Sequence, residues 1–112
     1  MSKNKSSVEA LRWDVFARNR RCEAGIIDPT AGPCYDNWGD QIVPSKANWK
    51  VGEMDYVRLE HHGDHHELLN DHVWLCPGHH RGTGPSAGYQ WATSHRRQQR
   101  EWLEALYVDL TR

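Results

Sequence analysis

The chain has 112 residues, 38% of them hydrophobic, and a net charge of −1 with histidines neutral. That length fits one small domain, and so few apolar residues leave it needing extra stabilisation from a metal or a partner copy. Near-neutral charge excludes a global basic field for nucleic acid, and no apolar run is long enough to cross a bilayer.

Residues 1–6 are polar, lack the apolar core of a signal peptide, and are expected to be flexible. Ser6-Ser7-Val8-Glu9 has the form of a capping box, which predicts a helix running to about Asn19. Val8, Leu11, Val15 and Phe16 form its apolar stripe, and Cys22 follows its end. From Cys22 to Val51, Pro29, Gly32, Pro33, Gly39 and Pro44 interrupt any period. Trp38 and Trp49 are the expected packing anchors of this stretch, with base stacking as the alternative role.

Tyr56-Val57-Arg58-Leu59-Glu60-His61-His62 alternates with a two-residue period, predicting a strand with Val57, Leu59 and His61 on one face. His72-Val73-Trp74-Leu75 reads as a second strand. Cys76-Pro77-Gly78 then turns into a helix near His79, stopped by Gly82-Thr83-Gly84-Pro85-Ser86. A last helix over 92–110, capped by Thr93 or Ser94, buries Trp102, Leu103, Leu106 and Leu110.

Three cysteines and eight histidines stand out, and all the histidines except His95 lie between His61 and His80. An odd cysteine count disfavours a disulfide framework and fits a reducing, cytoplasmic setting. Cys76 and His79, two residues apart, can chelate one ion from a tight turn. With Cys22 and Cys34 they make a four-ligand set suited to structural Zn²⁺. Eleven residues separate Cys22 from Cys34, a looser spacing than usual. His66-Glu67-Leu68-Leu69-Asn70 nearly repeats the zincin signature, but its last position is Asn, which removes a required ligand. Arg96, Arg97 and Arg100 fall on neighbouring turns and, with Arg81, could follow a phosphate backbone; solvated helix faces are the alternative.

The series Arg21-Cys22-Glu23-Ala24-Gly25, Glu60-His61-His62, Asn70-Asp71 and Leu75-Cys76-Pro77-Gly78-His79-His80-Arg81 resembles the zinc-containing HNH endonucleases common in phage genomes. The resemblance covers about residues 20–82. It implies an α+β fold: a ββα-metal (His-Me finger) core over 56–82, a structural zinc site, and flanking N- and C-terminal helices in a single domain, 1–112. It places His61 and His80 as ligands of a catalytic divalent cation and His62 as the general base. Imidazole ligands suit Mn²⁺, Ni²⁺ or Zn²⁺ better than Mg²⁺. The family's asparagine falls at Asp71, one residue after Asn70; either Asn70 serves through a shifted turn or Asp71 fixes the tautomer of His62.

The implied activity is hydrolysis of DNA phosphodiester bonds, leaving 5′-phosphate and 3′-hydroxyl ends. Resemblance also suggests phage packaging or recombination proteins as partners, in the cytoplasm of a bacterial host. Double-strand cutting would require a homodimer. A non-catalytic, zinc-stabilised nucleic-acid-binding module is the alternative.

Overall fold

The computed structural model describes residues 5–57, 69–86 and 90–107. The expected strand residues His61 and His62 lie outside them. Helix α1 (Lys5–Asn19) matches the periodicity and buries Val15 and Phe16. Arg20, in left-handed backbone at φ 55°, closes it, and its N–H donates to the Phe16 carbonyl at 2.8 Å. The chain turns at once into α2 (Ala24–Ile27), leaving Cys22 fully buried at the bend.

The punctuated stretch contains more regular structure than its composition suggests. Strands β1 (Cys34–Tyr35) and β2 (Gln41–Ile42) form an antiparallel hairpin, with Cys34 opposite Ile42 and Tyr35 opposite Gln41. Trp49 is an anchor as expected, but Trp38 is not: at 87% exposure it projects from the hairpin turn.

Strand β3 (Glu53–Tyr56) pairs antiparallel with β4 (His72–Leu75), Glu53 opposite Leu75 and Tyr56 opposite His72. The strand therefore begins three residues before the apolar alternation does. Glu53 and Asp55 are polar because they face side chains of the next helix, and that masks the strand from a hydrophobic reading. Strand β4 is buried throughout. Helix α3 (Pro77–Arg81) follows it directly, with proline in the first turn and left-handed Gly82 at its end. The final helix is two pieces, α4 (Trp91–Ser94) and α5 (Arg96–Leu106), broken at His95. The buried Gln99 side chain donates back to the Ala92 carbonyl at 2.7 Å across that break.

The result is a small α+β domain with two two-stranded antiparallel sheets. Two apolar clusters fill it. Phe16, Trp49 and Trp74 form an aromatic group under α1, with the Trp49 and Trp74 rings stacked 6.0 Å apart and 3° from parallel. The Arg12 guanidinium lies 3.9 Å over Trp49. The other cluster joins the three cysteines to Val73, Leu75, Trp91 and Leu103.

Between the clusters sits a buried ion pair that composition hides. Glu23 is 0% exposed; Arg18 grips it through two bonds of 2.7 and 2.8 Å, while Asn19 and the Trp74 N–H also donate to it. Arg18 further donates to the carbonyls of Leu69 and His72 and to the Tyr107 hydroxyl, so one guanidinium ties α1 to β4 and the C-terminal end. Among the described residues, no helix is long and apolar enough to cross a membrane.

Candidate metal centre

Three parts of the chain deliver the cluster. Cys22 comes from the α1–α2 bend, Cys34 from β1, Cys76 from the N-cap of α3 and His79 from within α3. All four are buried, and one ligand atom from each lies within 4.8 Å of all the others. His79 Nδ1 stands 3.6 Å from Cys22 Sγ, 3.8 Å from Cys34 Sγ and 3.1 Å from Cys76 Sγ. A tetrahedral zinc with Zn–S near 2.3 Å and Zn–N near 2.05 Å would place the nitrogen about 3.6 Å from each sulfur. The Cys22 distance matches, the Cys34 distance is slightly longer and the Cys76 distance is about 0.5 Å shorter, as hydrogen-bonded contacts before an ion enters would be.

The tautomer fits as well. His79 Nε2 lies 2.9 Å from the Ala31 carbonyl, which can only accept, so Nε2 carries a hydrogen and Nδ1 is the nitrogen that would ligate an ion once it gives up its own proton. At the helix start the His79 N–H donates to Cys76 Sγ at 3.3 Å, favouring a thiolate. Gly78 lets α3 pack closely on β1, because a Cβ there would sit 3.0 Å from Tyr35 Cβ and Tyr35 would have to give way.

Proton sharing among the four groups shows what they lack without a cation. Hydrogen bonds from Cys22 and Cys34 hold Cys76 far below the ordinary thiol range. The bond with Cys34, then that with Cys76, pushes Cys22 well above it. Cys34 is pulled down by Cys22, but Cys76 and burial outweigh this and lift it to about 12. Burial opposes a charge on His79, yet bonds to Cys22 and Cys76 raise it to about 10. Only one thiolate can persist beside an imidazolium; a dication would let all three ionise. The Cys₃His group can hold a metal ion such as zinc.

His80 faces the other way. Its Nδ1 lies 2.7 Å from Glu53 Oε1 and its Nε2 3.4 Å from Asp55 Oδ1, both on β3. Asp55 and then Glu53 raise the imidazole to about 9 against its burial. Burial pushes Glu53 upward, but His80 and Arg81 outweigh that and hold it below the usual carboxylate range.

The arginines expected to follow phosphates all have carboxylate partners. Arg81 bonds Glu53 at 2.9 Å, Arg96 bonds Asp55 at 3.3 Å, and Arg97 and Arg100 pair with Glu101 and Glu104 one helical turn along. Arg18, which makes a second basic group in the sequence with Arg20 and Arg21, is committed to the buried Glu23.

Of the remaining expected site residues, Asp71 is 1% exposed and Asn70 lies in the 3-10 turn Leu69–Asp71. The carbonyl of Asp71 receives the Val57 N–H at 2.9 Å. The roles of His61 and His62, and the choice between Asn70 and Asp71, depend on residues outside those described. Glu53 and Asp55 were missed by sequence reasoning; two acids at i and i+2, just before an alternating run, were the available signal. Compared with family models, curated proteins and solved structures, the chain matches none.

Proposed function

We propose that this chain is a metal-dependent HNH-type endonuclease that hydrolyses DNA phosphodiester bonds, with β3, β4 and α3 as its ββα-metal unit. One observation supports this most: adjacent residues of α3 serve two centres, His79 turned to the thiols and His80 turned to β3. The thiol-bound ion would then be structural, fixing the helix that aims His80.

His80 and Asp55 are the described residues that would hold the catalytic cation, joined by His61 on the resemblance. His80 Nε2 and Asp55 Oδ1, 3.4 Å apart, are spaced as two ligands of one ion are, roughly 3–3.4 Å across its coordination sphere. Glu53 would accept the Nδ1 hydrogen of His80 and so keep Nε2 free for the ion. When bound, a divalent cation there supplies charge neutralisation for the phosphorane and the departing 3′ oxygen. His62 would take the proton from water, since imidazole titrates near neutrality. Arg81, on the same face, would exchange Glu53 for a substrate phosphate; exposed ion pairs are weak enough for that exchange. A lone unit cuts one strand per encounter, so double-strand cleavage would need a second copy.

The alternative, a non-catalytic zinc-stabilised nucleic-acid-binding module, draws on a specific observation. Both His80 nitrogens, Arg81 and Arg96 are already balanced by Glu53 and Asp55. With His80 raised to about 9, three cationic groups face two carboxylates, so the centre has no net negative charge to draw in a second cation.

Supercoiled plasmid nicking, supplied in turn with Mg²⁺, Mn²⁺, Ni²⁺ and Zn²⁺, separates the two. The nuclease reading expects nicking by the wild type and a loss of about 10²–10⁴-fold in His62→Ala, with zinc content unchanged. His80→Ala and Asp55→Asn should also lose nicking. A wild type that shifts DNA on a gel but cuts in none of the four metals would establish the binding module instead.

A further inference from the structure

We infer that Trp38 is a stacking platform for an unpaired base of a DNA strand. The inference rests on the nucleic-acid reading above and adds the substrate feature that the site would grip. Large apolar side chains are normally hidden, and the other tryptophans among the described residues are all better covered than Trp38. Its exposure is not that of a slack loop. Asp36 Oδ1 accepts the N–H groups of both Trp38 and Asp40, at 2.9 and 3.0 Å, and the Asp36 N–H donates to the Asp40 carbonyl at 2.9 Å.

The turn is also seated on the segment that follows α3. Gly39, at φ 84°, lies so close that an added Cβ would be 3.3 Å from the Gly84 backbone. Thr83 Oγ1 donates to the Asp36 carbonyl at 2.7 Å, and Arg81 bonds Asn37, the residue beside Trp38. The turn that carries Trp38 is therefore held in place and joined through Asn37 to Arg81, which also bonds Glu53.

The neighbours select the ligand. Asp36 and Asp40 stand two residues either side of Trp38 in the chain and would repel phosphate, so the ring face rather than a charge would make the contact. Arg81, one residue removed through Asn37, supplies the nearby cation for the strand's backbone. A flat apolar face with a guanidinium to one side suits a base splayed from a strand, and such stacking tolerates any sequence. Bases stacked inside a duplex offer no face to it.

The test measures binding of a fluorescein-labelled single strand, and of its duplex, by anisotropy for wild type, Trp38→Ala and Trp38→Phe. Plasmid nicking, zinc content and thermal melting are recorded on the same preparations. The expected result is about 5- to 100-fold weaker single-strand binding in Trp38→Ala, with Trp38→Phe close to wild type, duplex binding little changed, and melting unchanged because the side chain is exposed. Equal single-strand affinity in wild type and Trp38→Ala overturns the platform; if the wild type still nicks plasmid, the nuclease reading survives. Equal losses on single strand and duplex also overturn it, since stacking on an unpaired base cannot produce them. A wild type that binds neither form of DNA and cuts no plasmid removes the nucleic-acid reading and the platform together.

Discussion

His79 and His80 are neighbours in sequence but serve different surroundings, because successive side chains on a helix point about 100° apart. His79 turns inward to three thiols and Ala31; His80 turns outward to Glu53 and Asp55. Their alanine variants should therefore fail differently. His79→Ala should lose bound zinc and its cooperative melt, since a structural zinc site contributes roughly 10–16 kcal/mol while small domains are stable by only about 5–15. His80→Ala should keep one zinc per chain and fold. Elemental analysis with circular dichroism melting checks both; equal zinc loss in the two variants would contradict the division of labour. At this scale Cys76 and His79 were legible as candidate ligands, because a Cys-x-x-His turn needs no distant information. Glu53 and Asp55 were not legible, because a carboxylate gains meaning only from the helix packed opposite it. The same holds for Arg18, which reads as one member of a basic group and is in fact committed to a buried acid.

The elements most visible in the sequence were those whose stability is local. Helix α1 shows an apolar stripe, β4 a continuous apolar run, and α3 begins and ends with proline and glycine. The break at His95 was invisible because residues 93–101 contain neither glycine nor proline to mark a helix end. The β1–β2 hairpin was invisible because two-residue strands carry too little pattern. Two variants test how the elements are joined. Gly52→Ala puts a methyl group 2.0 Å from Trp74 Nε1, where that nitrogen donates to the Ala47 carbonyl at 2.7 Å. Overpacking there should cost at least about 1–3 kcal/mol in urea denaturation, and a neutral result would mean the aromatic cluster is loose. Arg18→Met leaves Glu23 buried and uncompensated, which should cost about 3–5 kcal/mol. Arg18→Met with Glu23→Gln should recover part of that loss; if the double variant is no better than Arg18→Met, the charge imbalance is not the cause.

At the scale of the whole molecule, the thiol cluster with an ion bound would do what a larger core does elsewhere. Its ligands come from the α1–α2 bend, the hairpin and α3, so one ion would close loops that otherwise carry a large entropy cost. The apolar fraction anticipated this need, whereas the path that brings Cys22 and Cys34 together depends on tertiary packing that no spacing rule encodes. Metal-free, Cys34 keeps its proton up to about 12 and Cys22 is also raised, so binding must displace protons and weaken as pH falls.

Native mass spectrometry of the freshly purified chain, followed by melting before and after a chelator, tests the zinc-organised fold most directly. The predicted result is one zinc per chain, a cooperative transition with the ion, and loss of that transition once the ion is removed and the thiols are kept reduced. A metal-free chain that melts cooperatively, with the same midpoint in chelator as in added zinc, would contradict it.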